Sequence, residues 1–342
     1  MTVQREWPTT ILVGTDVGPE NLGRIERAAP GARVSCRSCG SPAELTQAIG
    51  RNVDIIFADL LPDFVDPNGR LRWAQLMSAG IEVLRDSPAW SAPGLQITNA
   101  SGVHVPAMSE YIIAMILQST GSFAAATSFK STRRWEDRFA IKRSPVAGKV
   151  LGILGYGSIG RRVGRLAHAL GMRTLAIRRS RDREPTDQYR WPFIEAVDSG
   201  SEPAEVLTAD ALPRVMRESD FLAVTMPLTA DTKGMVGAAE LALMKPHAFI
   251  VNVSRGAIFD EGALIEALAA KRIAGAALDV FAREPPAGDN PLFHLPNVVL
   301  TPHISGVFDE YNDIATDIFI TNFGRYARGE PLLNLVSAAR GY

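Results

Sequence analysis

The sequence predicts an α/β protein of two domains, each built on a parallel sheet, and three observations support this. Short β-branched or aliphatic runs alternate with amphipathic helical stretches along almost the whole chain, the pattern of strands joined by crossover helices. At 342 residues the chain exceeds what one core usually serves. A second series of strand and helix signals starts afresh at Lys149, after a long helical stretch. Two Rossmann-like or flavodoxin-like domains with a cleft between them are therefore expected.

The elements follow in order. In the first hundred residues the strand candidates are Thr10 to Val13, Arg33 to Cys36, Asp54 to Ala58 and Leu95 to Asn99, with helical periodicity between them, as in "PAELTQAIG". From Pro106 one helix is expected to run through "AMSEYIIAMILQSTGSFAAATSFK", about twice the usual length. The second series comprises "KVLGILGYGSIG", "RTLAI", "FLAVTMP", "AFIVNVS", "AGAALDVF" and "NVVLTPH". The helical stretch Glu310 to Arg328 is too short to stand alone and should return to the first domain. The expected division is 1–103 with 306–342 for a discontinuous substrate-binding domain, and 104–305 for a dinucleotide-binding Rossmann domain. Arg181 to Thr208 is longer and more polar than a compact unit needs, and reads as a surface insertion.

Composition narrows the function classes. With 36 basic and 37 acidic residues the net charge is -1, so no global field favours polyanions and nucleic-acid binding is not expected. The first ten residues lack an apolar core for a signal sequence, and the longest aliphatic run, Tyr111 to Leu117, is too short to cross a bilayer. A cytoplasmic enzyme with no membrane partner is expected. The two cysteines, Cys36 and Cys39, have redox-pair or half-zinc-site spacing, but no histidine lies nearby to complete a metal site. They read as reduced thiols near a strand end, and no metal is expected.

"VLGILGYGSIGRRVGRLAHALG" joins a buried-strand run to Gly155, Gly157 and Gly160 in GxGxxG spacing, and then to an amphipathic helix. That context turns a weak motif into a specific one. The chain must turn sharply at Gly155, admit a pyrophosphate at Gly157, and pack helix on strand at Gly160. The helix start offers amides and a positive dipole end to phosphates. Gly155, Tyr156, Gly157, Ser158, Ile159 and Gly160 are thus cofactor-loop candidates. At the end of "RTLAI", where an NAD-binding fold usually places an acidic residue, this chain has Arg178, Arg179, Ser180 and Arg181. A carboxylate would repel a 2′-phosphate, whereas guanidinium groups bind it. The loop therefore predicts a preference for NADP(H), with NAD(H) use possible.

Three more motifs fall at or just past predicted strand ends: "NVSRGAIFD" with Arg255, "DVFAREPP" with Glu284 and "LTPHISG" with His303. From about Ala100 to Gly306 the sequence resembles the D-isomer-specific 2-hydroxyacid dehydrogenase family, through these motifs, the glycine loop and "MPLTADTKGMV". Reducing a 2-keto acid requires a hydride on the carbonyl carbon, a proton for the developing alkoxide, and positive charge on the carboxylate and ketone. His303 suits the proton step, since an unperturbed imidazole titrates near working pH. Glu284 would orient that ring, and Arg255 would hold the substrate oxygens.

The resemblance implies further positions. Asp279 would meet the nicotinamide carboxamide or serve structure instead. Val253, with Ser254, and Met226, with Pro227, would border the ring, and Thr232 the phosphates or ribose. Ala79, Gly80 and Ile81 would offer amides to the substrate carboxylate, beside Arg255 and His303. Many relatives carry Asn where this chain has His104, which either reaches the cleft or begins the long helix. Trp73 and Trp135 either line a pocket or serve packing and subunit contact. The sequence also resembles the glyoxylate/hydroxypyruvate reductase branch, which implies small 2-keto acids as substrates, and the family resemblance implies a homodimer. Larger aryl or branched acids, a formate or phosphite donor, and a nucleotide-sensing corepressor-like binding protein are the alternatives.

Overall fold

A computed structural model describes residues 9–81, 84, 86–121, 129–140, 144–179, 188–192, 194 and 204–336. The chain divides into two compact units, the first formed by Met1–His104, Glu184–Glu195 and Phe308–Tyr342, and the second by Val105–Arg183 and Ala196–Val307.

The first unit carries strands β1 (Thr10–Val13), β2 (Arg33–Cys36), β3 (Ile55–Ala58), β4 (Trp73–Leu76) and β5 (Gln96–Thr98), all parallel, in the order β2-β1-β3-β4-β5. This is the flavodoxin-like order. Helices α1 (Pro19–Ala28) and α2 (Pro42–Ile49) connect the first three strands, and Ser41 caps α2 by accepting the Glu44 amide at 3.2 Å. The interior strand β4 escapes the sequence pattern, because Arg70, Arg72 and Gln75 interrupt its apolar run. Gln75 is nevertheless fully buried, accepting from Thr98 Oγ1 at 2.8 Å and from Asn322 Nδ2 at 3.0 Å. Trp73 is core, stacked on Phe319 and Tyr326 of the C-terminal helix Tyr311–Ala327 at 5.2 and 5.4 Å. Such stacking adds about 0.5–1.5 kcal/mol to the area buried, and it fixes that helix against this sheet.

The second unit opens with α3 (Val105–Ser119). The helix ends well short of the expected length: Ser119 and Thr120 donate their hydroxyls back to the carbonyls of Ile116 and Leu117 at 2.7 and 2.8 Å, and Gly121 follows. Such local bonds compete with helix continuation. Residues 129–132 are helical again, and 122–128 lie outside the described residues.

Seven parallel strands follow: β6 (Val150–Leu154), β7 (Arg173–Ile177), β8 (Ala204–Leu207), β9 (Phe221–Val224), β10 (Phe249–Asn252), β11 (Gly275–Leu278) and β12 (Val298–Leu300). Their order is β12-β11-β10-β9-β6-β7-β8, with helix α4 (Ser158–Ala169) joining β6 to β7. The order in which successive strands are added reverses between β6 and β9, the switch point where doubly wound sheets bind ligands at strand carboxyl ends. The expected surface insertion needs correction at both described places. Ala204–Leu207 is the edge strand, paired with β7, and Tyr189 is buried within the first unit. Residues 181–187, 193 and 195–203 lie outside the described residues.

At the opposite, amino edge of this sheet, Asp220 accepts from the Val150 amide, Lys245 Nζ and His247 Nε2, each at 2.8 Å. Burial pushes its carboxyl up, but the bonds from Lys245, His247 and Val150 override this and hold it at about 2. A carboxyl depressed below its unfolded value contributes stability that is present above about pH 4 and lost as pH falls through about 2, roughly 2 kcal/mol in all. Asp220→Asn should therefore be less stable than wild type by about 2 kcal/mol at pH 7, with the gap closing as pH falls from about 4 toward about 2. Urea unfolding at a series of pH values checks this, and a gap independent of pH would refute it.

Candidate active site

Six loops at the carboxyl edge of the seven-stranded sheet carry nearly all the expected cofactor and catalytic residues. After β6, Gly155 adopts φ +102°, and a Cβ there would lie 2.4 Å from the Met226 amide nitrogen. The loop thus packs directly on the segment after β9, where Thr225 Oγ1 also donates to the Gly155 carbonyl at 2.6 Å. A Cβ at Gly160 would lie 2.2 Å from the Gly155 carbonyl oxygen, so helix and loop are in backbone contact. Gly157 caps α4 without a side-chain bond, and a Cβ there would enter open space. That is the cradle a pyrophosphate requires: bare backbone, uncapped first-turn amides at Ser158 and Ile159, and the positive end of the helix. The Tyr156 side chain is buried, its ring and hydroxyl against Gly164, so only its backbone faces the loop. Arg178 and Arg179 follow β7, half-buried and exposed respectively, with the Arg178 amide bonded to the Leu207 carbonyl at 2.9 Å. Ser180 and Arg181 lie outside the described residues.

His303 and Glu284 meet after β12 and β11. His303 Nδ1 lies 2.7 Å from Glu284 Oε2, and Glu284 Oε1 accepts the Phe281 amide at 3.0 Å. The carboxylate is therefore pinned by its own loop while it fixes the ring, and Nε2 is left without a hydrogen bond among the described residues. Side-chain exposures of 48% for His303 and 36% for Glu284 keep the pair within reach of a ligand. His303 has φ +56°, an unusual conformation for a side-chain-bearing residue, held by its amide bond to the Asp279 carbonyl at 2.9 Å.

Asp279 organises this conformation. Wholly buried, it accepts from Thr301 Oγ1 at 2.6 Å, the Ile304 amide at 2.8 Å and the Ser305 amide at 2.9 Å. Its carboxylate is engaged beneath the His303 loop, which is the structural alternative to carboxamide contact. Tyr111 of α3 extends the network, its hydroxyl 2.7 Å from Thr301 Oγ1; burial raises its phenol above the ordinary value. An apolar cavity of about 290 Å³, walled by Phe281, Phe293, Leu300 and Pro302, opens beside Glu284 and His303.

Arg255 follows β10 and is half-buried. Buried Asn252 shapes its turn: Oδ1 accepts the Ser254 amide at 3.1 Å and Nδ2 donates to the Arg255 carbonyl at 3.1 Å. Next in sequence, Gly256 would place a Cβ 1.9 Å from the Phe281 carbonyl carbon. Only glycine permits that approach, and it brings the arginine's turn onto the loop that carries Glu284.

The remaining positions divide. Met226, Val253 and Ser254 are buried and Pro227 is exposed on these loops. Thr232 donates its hydroxyl to the Pro227 carbonyl and accepts the Thr229 amide, both at 2.8 Å, bonds that close its own loop. In the first unit, the carbonyls of Ser78, Ala79 and Gly80 accept from the Ala100 amide, Asn99 Nδ2 and Ser78 Oγ at 3.0, 2.7 and 2.9 Å. The amides of Ala79, Gly80 and Ile81 donate no hydrogen bond among the described residues. His104 precedes α3, with its ring 5.3 Å from that of Tyr311. Trp135 is exposed beneath Arg138. Cys36 ends β2 and both thiols are free, with burial raising each pKa. Among the described residues, no cluster of His, Cys, Asp and Glu could hold a metal, and no helix is long and apolar enough to cross a membrane.

Residues 113–305 match the family model for the NAD-binding domain of D-isomer-specific 2-hydroxyacid dehydrogenases. The chain belongs to this family. It is an NAD(P)-dependent 2-hydroxyacid dehydrogenase. It is 34% identical over 310 residues to a glyoxylate reductase of Aeropyrum pernix, covering 86% of each chain. A glycerate dehydrogenase of Methylorubrum extorquens is 31% identical over 288 residues, 82% of each. The fold is shared with a family member from Xanthobacter autotrophicus solved with NADPH and MES, at TM-score 0.77 and 24% identity, covering 98% of this chain and 100% of that one.

Motif reading did not find Asn252, Tyr111, Thr301 or Gly256. Asn252 had a signal, a polar residue closing the apolar run "FIVN". Tyr111 had none, since its partner is 190 residues away.

Proposed function

We propose that this dehydrogenase reduces short 2-keto acids of the glyoxylate or hydroxypyruvate type with NADPH. The observation that carries this is the 2.7 Å His303–Glu284 contact on the edge that also holds the Arg255 turn and the glycine loop. Gly155 to Gly160 would hold the pyrophosphate, with Arg178 and Arg179 at the adenosine 2′-phosphate and Met226, Pro227, Val253 and Ser254 near the nicotinamide. When bound, the reduced cofactor supplies the hydride. Arg255 holds the carboxylate and polarises the ketone, its fork matching two oxygens. His303 donates a proton from Nε2 to the developing alkoxide, while Glu284, at Nδ1, keeps the ring oriented. Asp279 acts through the His303 loop. The amides of Ala79, Gly80 and Ile81, which donate no hydrogen bond among the described residues, support the reading that this loop offers donors to the carboxylate. Homodimer assembly belongs to the same reading, supported by exposed Phe129, Trp135 and Phe139 in one segment of the chain.

The test is loss of nicotinamide absorbance with glyoxylate, hydroxypyruvate and phenylpyruvate, run with NADPH and with NADH, beside gain of absorbance with formate and phosphite, run with NADP+ and with NAD+. Expected are turnover of the short keto acids, higher kcat/KM with NADPH, and a shift toward NADH in Arg178→Asp, which would repel a 2′-phosphate. Wild-type preference for NADH would remove the role given to Arg178, and turnover of formate or phosphite alone would overturn the reading.

A further inference from the structure

The segment between β7 and β8 leaves the second unit's sheet and packs in the first unit. Two anchors fix it there. The Trp191 indole N–H donates to the Gly102 carbonyl at 3.0 Å, and the Tyr189 amide donates to Asn334 Oδ1 at 2.9 Å. Asn334, itself buried, donates through Nδ2 to the carbonyls of Asn99 and Ser101 at 3.0 and 2.8 Å. Gly102, at φ +100°, has no room for a side chain, since a Cβ would lie 2.7 Å from the Tyr189 carbonyl oxygen. The turn Asn99–Gly102 is thus built to receive this segment.

The same turn holds the Ala79–Ile81 loop. Asn99 Nδ2 bonds the Ala79 carbonyl and the Ala100 amide bonds the Ser78 carbonyl, at 2.7 and 3.0 Å. Ala79, Trp191 and Phe308 pack on one buried group, Ala100, Val103, Tyr189 and Ile318. The Trp191 ring lies 6.2 Å from that of Phe308 and is half-exposed. The indole N–H bond to Gly102 and the Tyr189 bond to Asn334 hold this aromatic ring on the cluster that also seats Ala79.

We propose that Trp191 is a specificity-determining residue that limits the side chain on C2 of the keto acid bound at the Ala79–Ile81 loop, confining the enzyme to short substrates. This rests on the reading that the loop holds the substrate carboxylate. The test compares wild type, Trp191→Phe, Trp191→Leu and Trp191→Ala, with NADPH, on glyoxylate and on phenylpyruvate. The ratio of kcat/KM for phenylpyruvate to that for glyoxylate should rise as the side chain shrinks, by at least about tenfold in Trp191→Ala, with Trp191→Phe close to wild type. Trp191→Leu keeps an apolar filler, so the trend remains readable if the alanine variant folds poorly. A residue serving structure alone would lower both kcat/KM values together, and a constant ratio in Leu and Ala variants would overturn the proposal while leaving keto-acid reduction intact. Failure of wild type to reduce any keto acid would overturn the underlying reading and the proposal with it.

Discussion

His303→Ala should lose turnover by about 10²- to 10⁴-fold, the usual worth of a positioned general acid, while NADPH binding is nearly kept. The cause is local. Nε2 is the one ring nitrogen left for a ligand, because Nδ1 is engaged by Glu284 at 2.7 Å. The cofactor cradle at Gly155 to Gly160 lies on another loop and does not depend on the imidazole. NADPH titration by fluorescence, beside steady-state assays with glyoxylate, separates the two effects. Near-wild-type turnover in this variant would remove His303 from proton transfer.

Arg255→Met should lower kcat/KM for every accepted keto acid by about 10²- to 10³-fold, the loss seen when one oriented donor to a developing oxyanion is removed. Methionine keeps much of the stem packing, so the loss reports charge and hydrogen bonding. Arg255→Lys should recover only part, because an ammonium lacks the planar fork. If Arg255 were a surface cation at a turn, both variants would keep wild-type kcat/KM, and thermal stability would be the only quantity to change.

Sequence made the site's chemistry legible because each group stands in a local context with a physical meaning. Gly155, Gly157 and Gly160 sit between strand and helix, and Arg255, Glu284 and His303 each follow an apolar strand run. What stayed hidden depends on distant partners. β4 contains a buried Gln75 whose acceptor is satisfied by Thr98 and Asn322, so no periodicity could mark it as a core strand. The docking of Tyr189 and Trp191 depends on Asn334 and Gly102, 145 and 89 residues away, which is why that stretch read as a polar surface insertion. α3 was overextended because its apolar pattern continues past Ser119, while the Ser119 and Thr120 hydroxyl bonds that end it are visible only in coordinates. The resemblance leaves Asp279 either at the carboxamide or in a structural role, and the bonds from Thr301, Ile304 and Ser305 that tie its carboxylate to the His303 loop depend on residues more than twenty positions away.

That imidazole and carboxylate act as one unit is the claim on which the rest depends, and a double-mutant cycle on kcat tests it most directly. Glu284→Gln should lower kcat on the order of 10²-fold when His303 is present, and should change it little in the His303→Ala background, because a group acting through another has nothing to act on once that group is gone. Equal losses in the two backgrounds would show that Glu284 works independently of His303 and would contradict the account.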